Sequence, residues 1–112
     1  MRIGLFSDTY LPDVNGVVSS IVTLKSALEE LGHTVFVISN HKGLELDYNQ
    51  QERVLRLSGL EMKKMYGYKM SSPFQMVGEE YVREMNLDVI HVQTEAGIGI
   101  FARQMARKLH IP

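Results

Sequence analysis

Short apolar runs alternate along this chain with longer stretches whose apolar positions recur every three to four residues. Residues 2–7, Arg-Ile-Gly-Leu-Phe-Ser, are one such run and predict a buried strand. Gly4 inside it predicts close approach of a neighbouring element. Residues 8–15 contain Pro12, Asp13 and Asn15 and predict a loop. From 16 to 31, Val17, Ile21, Leu24, Leu28 and Leu31 fall on one helical face. Asn15 is placed to cap that helix, and Gly32 to end it in the left-handed conformation. Lys25 and Glu29 form an i,i+4 pair on its other side. Residues 34–39, Thr-Val-Phe-Val-Ile-Ser, are β-branched and aromatic, hence a second strand. Residues 2–39 thus predict a right-handed βαβ unit with parallel strands.

Residues 40–52 are polar and read as loop. Arg53-Val-Leu-Arg-Leu reads as a weaker strand, at an edge because of its charges. Residues 58–71 resist assignment. There Met62, Met65, Tyr66, Tyr68 and Met70 interleave with Lys63, Lys64 and Lys69. The plain reading is a segment packed on the sheet edge; the functional one is a patch facing an acceptor or membrane. Ser72, Pro73 and Gln75 form a helix start, with Phe74, Val77, Tyr81 and Met85 inward and Glu79 paired with Arg83. Residues 88–92, Asp-Val-Ile-His-Val, predict another buried strand, with His91 as a core histidine. His33, His41 and His110 read as surface residues. Gln93–Gly97 is a turn, and a last helix to Leu109 buries Ile98, Phe101, Met105 and Leu109. Gly97 and Gly99 in its first turn permit close approach of another helix or a ligand.

The order β-α-β-β-α-β-α predicts an α/β fold: a Rossmann-like open parallel sheet of the doubly wound class with strand order 3-2-1-4. Ligands of such sheets bind beyond the carboxyl ends of the strands, at the switch point. Here that crevice lies between Asp8–Gly16 and Gln93–Gly97.

Composition narrows the chemistry. With 112 residues, 45% apolar and 22% charged, the chain predicts one soluble domain. A net charge of −1 does not suggest nucleic acid as a partner. Without cysteine there are no disulfides or thiolate nucleophiles, and the histidines lack metal-ligand spacing, so no metal is expected. No apolar run approaches the roughly 20 residues of a membrane span. The expected location is cytoplasmic, with peripheral membrane contact compatible. Gly-x-Gly-x-x-Gly and Walker A patterns are absent, and Leu57-Ser58-Gly59 lacks the phosphate-accepting Asp of a response regulator. Asn15-Gly16 at a helix start is a place where backbone N–H groups meet an anion. Asn15 reads as a cap before it reads as a ligand.

Phe6-Ser-Asp-Thr-Tyr-Leu-Pro-Asp-Val-Asn-Gly-Val-Val-Ser-Ser-Ile resembles the N-terminus of family 4 glycosyltransferases with the GT-B fold. Leu31-Gly-His-Thr-Val-Phe-Val-Ile and Asp88-Val-Ile-His-Val-Gln-Thr-Glu resemble two further segments of that family, in the right order. The nearest branch by resemblance is the diacylglycerol glucosyltransferases. The resemblance implies a retaining, metal-independent transfer of a hexose from a nucleotide-sugar to a lipid or sugar acceptor, in a cleft between two Rossmann-like domains. It implies that Gly16, with Asn15, meets the donor diphosphate. Asp8, Tyr10, Asp13, Thr94 and Glu95 would line the acceptor-side cleft. The family's histidine after the fifth strand would fall just past Pro112, so no catalytic residue is expected within 1–112. The donor-binding domain is likewise expected to be absent. Residues 1–112 are therefore expected to be a partial N-terminal domain, inactive alone and self-associating through an exposed sheet edge. The alternatives are a stand-alone Rossmann-like binding module and a flavodoxin-like phosphate-binding protein.

Overall fold

A computed structural model describes residues 1–59, 78–94 and 97–112. Its strands are β1 (Arg2–Phe6), β2 (Thr34–Asn40), β3 (Asp47–Asn49), β4 (Val54–Leu57) and β5 (Val89–Val92). They form one sheet in the order β3-β4-β2-β1-β5. Its helices are α1 (Gly16–Glu30), α2 (Gly78–Glu84) and α3 (Gly97–Leu109). β1, β2, β4 and β5 are parallel, and β3 pairs antiparallel with β4. The expected order of parallel strands is therefore present.

The addition is β3, inside the stretch read as loop. Its outer residues Asp47 and Asn49 are exposed and only Tyr48 is partly buried. Three residues are too few to display a period of two. Because β3 covers it, β4 is not the edge strand that its arginines suggested, and Val54, Leu55 and Leu57 are all buried.

Alternation along the strands sorts the core into two layers. Ile3, Leu5, Val35, Val37 and Val54 pack with Ile21 of α1 on one face. Phe6, Phe36, Ile38, Leu55 and Leu57 pack with Val82, Met85, Ile98, Phe101 and Met105 of the α2–α3 segments on the other. The Phe6 and Phe101 rings lie 6.1 Å apart, in a tilted pair. Gly4 is the close approach expected of it, since a Cβ there would sit 2.7 Å from Leu87 Cδ1.

Helix α1 ends as its sequence predicts. Gly32 has φ +93°, its N–H donates to Glu29 O at 3.0 Å, and the His33 N–H donates to Leu28 O at 3.1 Å, the double closure of a Schellman motif. Lys25 Nζ meets Glu29 at 3.1 Å. Leu31 does not join the apolar face: it is the C-cap residue and 74% exposed, because the chain turns away there.

In α2 and just after it, Val82 and Met85 point inward, whereas Tyr81 is exposed and pairs edge-on with Tyr48 at 5.5 Å. Gly78 and Glu79 set this face: both are buried and lie i, i+4 or i, i+3 from Val82. The expected inward face through Tyr81 is thus corrected by about a third of a turn. Phe74 and Val77, the Ser72-Pro73-Gln75 start and the Met–Tyr–Lys stretch lie outside the described residues. Glu79 is 2% exposed and carries two cations, Arg83 at 3.7 Å and, closer, Lys108 of α3. That buried carboxylate ties α2 to α3.

His91 corrects another expectation. It is exposed, and its Nε2 lies 2.9 Å from Gln93 Oε1. It stands opposite Leu5, on the α1 side of the sheet, but among the described residues β5 is the outermost strand on that side. On the outer side of β5, the Ile90 N–H donates to Pro112 O at 2.9 Å.

Candidate functional site

The carboxyl ends of β1, β2 and β5 meet at Asp8. Its Oδ2 accepts from the Thr94 hydroxyl at 2.6 Å, and its own N–H donates back to Thr94 Oγ1 at 2.8 Å. Its Oδ1 accepts from the Ile98 N–H at 3.1 Å and from Asn40 Nδ2 at 3.4 Å. Asp8 is therefore the cap of α3, supplied by the loop that follows β1. Asp8 and Thr94 were expected to line a cleft, and the fold does bring them together, but each engages the other. Glu95, expected beside them, lies outside the described residues. Gly99 has a local reason as well: a Cβ there would sit 2.9 Å from Thr94 O. The close approach is to the backbone of its own turn.

Tyr10 and Asp13 follow on the same loop. The Asp13 N–H donates to Tyr10 O at 3.1 Å, and Asp13 Oδ2 accepts from the Thr9 hydroxyl at 3.1 Å. Thr9 Oγ1 in turn accepts from Asn15 Nδ2 at 3.2 Å. Tyr10 is buried, with the Arg56 guanidinium 5.9 Å from its ring centre. Burial first, and then the charge of Glu52, raises its phenol above the ordinary 10.0, with Arg56 pulling the other way. The phenol is a neutral donor at neutral pH.

Asp8, Tyr10 and Asp13 line a cavity of about 460 Å³ whose other wall is Asn40, His41, Lys42 and Arg56. None of these four was singled out from the sequence. The available signal was position: Asn40 ends β2, and His41 and Lys42 follow it, where α/β sheets place ligand contacts. Arg56 is held by Leu11 O, which its Nη2 reaches at 2.7 Å, and by Asp47 at 3.8 Å. His41 Nδ1 accepts from the Gly43 N–H at 3.1 Å. In the neutral ring the proton is then on Nε2, which donates to Glu45 O at 2.6 Å.

The start of α1 differs from all this. Asn15 Oδ1 accepts from the Val18 N–H at 2.9 Å, and Asn15 O accepts from the Ser19 N–H at 3.1 Å. The N–H groups of Gly16 and Val17 have no partner among the described residues. Gly16 is exposed, and a Cβ built on it would meet nothing within 4 Å. Its φ lies outside the left-handed region. Nothing in the chain's own packing requires glycine there.

The family model for Glycosyltransferase Family 4 matches residues 14–112. The chain belongs to glycosyltransferase family 4. The alpha-monoglucosyldiacylglycerol synthases of Streptococcus pneumoniae and Acholeplasma laidlawii are 37% and 38% identical to it over its whole length. A GDP-mannose-dependent alpha-mannosyltransferase of Corynebacterium glutamicum is 27% identical, again over the whole chain. The chain spans 25%, 28% and 28% of these three relatives. The family match takes in the α1 start, the Asn40–Lys42 and Arg56 wall and Thr94; residues 8–13 precede it. This family 4 chain has no helix among its described residues long and apolar enough to cross a membrane.

Proposed function

We propose that this chain is the N-terminal, acceptor-side part of a retaining, nucleotide-sugar-dependent glycosyltransferase. The parent enzyme transfers a hexose to a lipid of diacylglycerol type and needs no metal. The observation that carries this reading is the open start of α1, where two N–H groups without a partner among the described residues lie at an exposed glycine that the packing around it does not require. When the sugar–diphosphate bond breaks, charge develops on the leaving diphosphate. A helix N-terminus aimed at it stabilises that charge without reorganisation. The neighbouring cavity is walled by Tyr10 and Arg56, whose donor groups suit a hydroxylated acceptor. Asp8 is not the base that takes the acceptor's proton, since its carboxylate is engaged by Thr94, Ile98 and Asn40. The catalytic groups and most donor contacts lie in a partner domain, and the 112 residues do not turn over alone.

A lipid acceptor is supported by the names of the two synthases and by the surface beside the site. Leu11, Val14 and Val22 are 45%, 93% and 38% exposed around the α1 start, an apolar patch suited to peripheral contact with a bilayer.

Transfer of radiolabelled sugar to diacylglycerol vesicles tests the reading. The 112-residue chain is expected to show none, and the chain continued through a donor-binding domain to show turnover. In that longer protein, Gly16→Val is expected to raise the donor KM about tenfold, equivalent to roughly 1.4 kcal/mol. Turnover by the short chain overturns the division of labour, and an unchanged donor KM overturns the role of Gly16.

A further inference from the structure

At the opposite end of the sheet lies a second cavity, of about 390 Å³, within the size range of small-molecule sites. Strand alternation builds it on the face covered by α2 and α3. Arg2 begins β1 and is in register with Thr34 of β2, and two residues on Phe36 forms the floor, 4% exposed. Arg53 stands next to it across the sheet, since its carbonyl accepts from the Val37 N–H at 2.9 Å. Tyr48 of β3, with Gln50 just after it, and Tyr81, Glu84 and Met85 of the α2 segment also line it. The seven residues of β2, at about 3.3 Å each, place this cavity roughly 20 Å from the cleft at the carboxyl ends.

Its two arginines differ. Arg2 is tied into the fold, because its Nε donates to Met85 O at 2.6 Å and its guanidinium lies 5.1 Å from the Phe36 ring centre. Arg53 is not. Its guanidinium makes no hydrogen bond or ion pair among the described residues, although Glu84 lines the same cavity. Its backbone is held at φ +58°, in the left-handed region that an arginine adopts only with some strain. That conformation closes the β3–β4 hairpin and delivers the side chain to the cavity. Among the described residues, the lining carries two guanidinium groups against one carboxylate, over an aromatic and thioether floor.

We propose that this cavity binds a small organic anion, its oxyanion held by Arg53 with Arg2 and its apolar body seated on Phe36 and Met85 between the two tyrosines. Guanidinium groups pair with phosphate or carboxylate in a two-pronged geometry, and the apolar floor discriminates organic from inorganic anions. The site is separate from the sugar-transfer cleft and does not depend on how that cleft works.

Phenyl phosphate is the probe, titrated into the chain and followed by NMR shifts of labelled Tyr48, Tyr81 and Met85. Saturable shifts at these residues are expected, with inorganic phosphate binding at least tenfold more weakly. Arg53→Gly is the informative variant, because glycine accepts φ +58° and leaves the hairpin intact. It is expected to weaken phenyl phosphate at least tenfold, with Arg53→Lys in between and Glu84→Gln tighter than the parent. No saturable shifts, or equal affinity in parent and Arg53→Gly, overturns the site.

Discussion

Helices α1 and α3 both begin with glycine after a strand of the same sheet, and their beginnings have opposite fates. At α3 the start is buried and tied to the chain itself: Asp8 caps Ile98, Thr94 holds Asp8, and Gly99 fits against the Thr94 carbonyl. At α1 the cap is local, from Asn15 to Val18, and the positions ahead of it are open. Two similar sequence signals thus mark one structural joint and one open surface. A glycine at a helix start says that something comes close, and only the fold says whether that something is the chain itself.

The strongest way to break this contrast is at Asp8. Asp8→Ala removes a charged cap and leaves the Ile98 N–H and Thr94 hydroxyl without their acceptor. From the usual worth of caps and charge-assisted hydrogen bonds, about 3 kcal/mol of stability is expected to go. Urea denaturation measures it, and the Ile98 amide should lose hydrogen-exchange protection first. A loss below about 0.5 kcal/mol would mean that α3 does not depend on the joint.

Gly99→Ala attacks the same joint by overfilling. The new methyl group would lie 2.9 Å from a backbone carbonyl, which cannot swing aside as a side-chain tip can. About 2 kcal/mol of destabilisation is expected, visible as a lowered urea midpoint at unchanged m-value. If Gly99 were instead reserved for a ligand, the substitution would leave stability untouched.

Much of this arrangement was legible in the sequence. The α1 helix, its asparagine cap and its Gly32 ending follow from local rules, because cap, helix and stop are contiguous. The order of the parallel strands follows from the chirality of βαβ units. What was not legible depends on distance along the chain or on the sheet's limits. Asp8 meets Ile98 across ninety residues, and no local pattern announces that a cleft carboxylate will become a cap. His91 lies in an apolar run that reads as buried, but burial there depended on whether β5 had a neighbour on both sides and a helix over both faces. The cavity wall of Asn40, His41, Lys42 and Arg56 was missed because it assembles from two strands that are adjacent only in the folded sheet.

At α1 the expected effects are smaller and separate two roles. Asn15→Ala removes the acceptor of the Val18 N–H and the link to Thr9, and about 1 kcal/mol of stability is expected to be lost. Asn15→Asp should retain most of it, because aspartate caps equally well and suits the helix dipole. If the alanine variant proved as stable as the parent, the helix start would be fixed by its packing through Val18 and Ile21 instead.

Gly16→Ala should do least of all to the fold, and that is its value. Alanine is the better helix former, the position has no neighbour within 4 Å, and the unfolded chain loses freedom. Thermal denaturation should therefore show stability unchanged or higher by up to about 1 kcal/mol. Under the proposed function, however, the added methyl group would stand in the path of the donor diphosphate. A substitution that strengthens the helix while weakening the donor would show that the glycine serves the ligand and not the fold. A Gly16→Ala protein that lost stability would show the reverse: the open space at this helix start would then be needed by the chain itself.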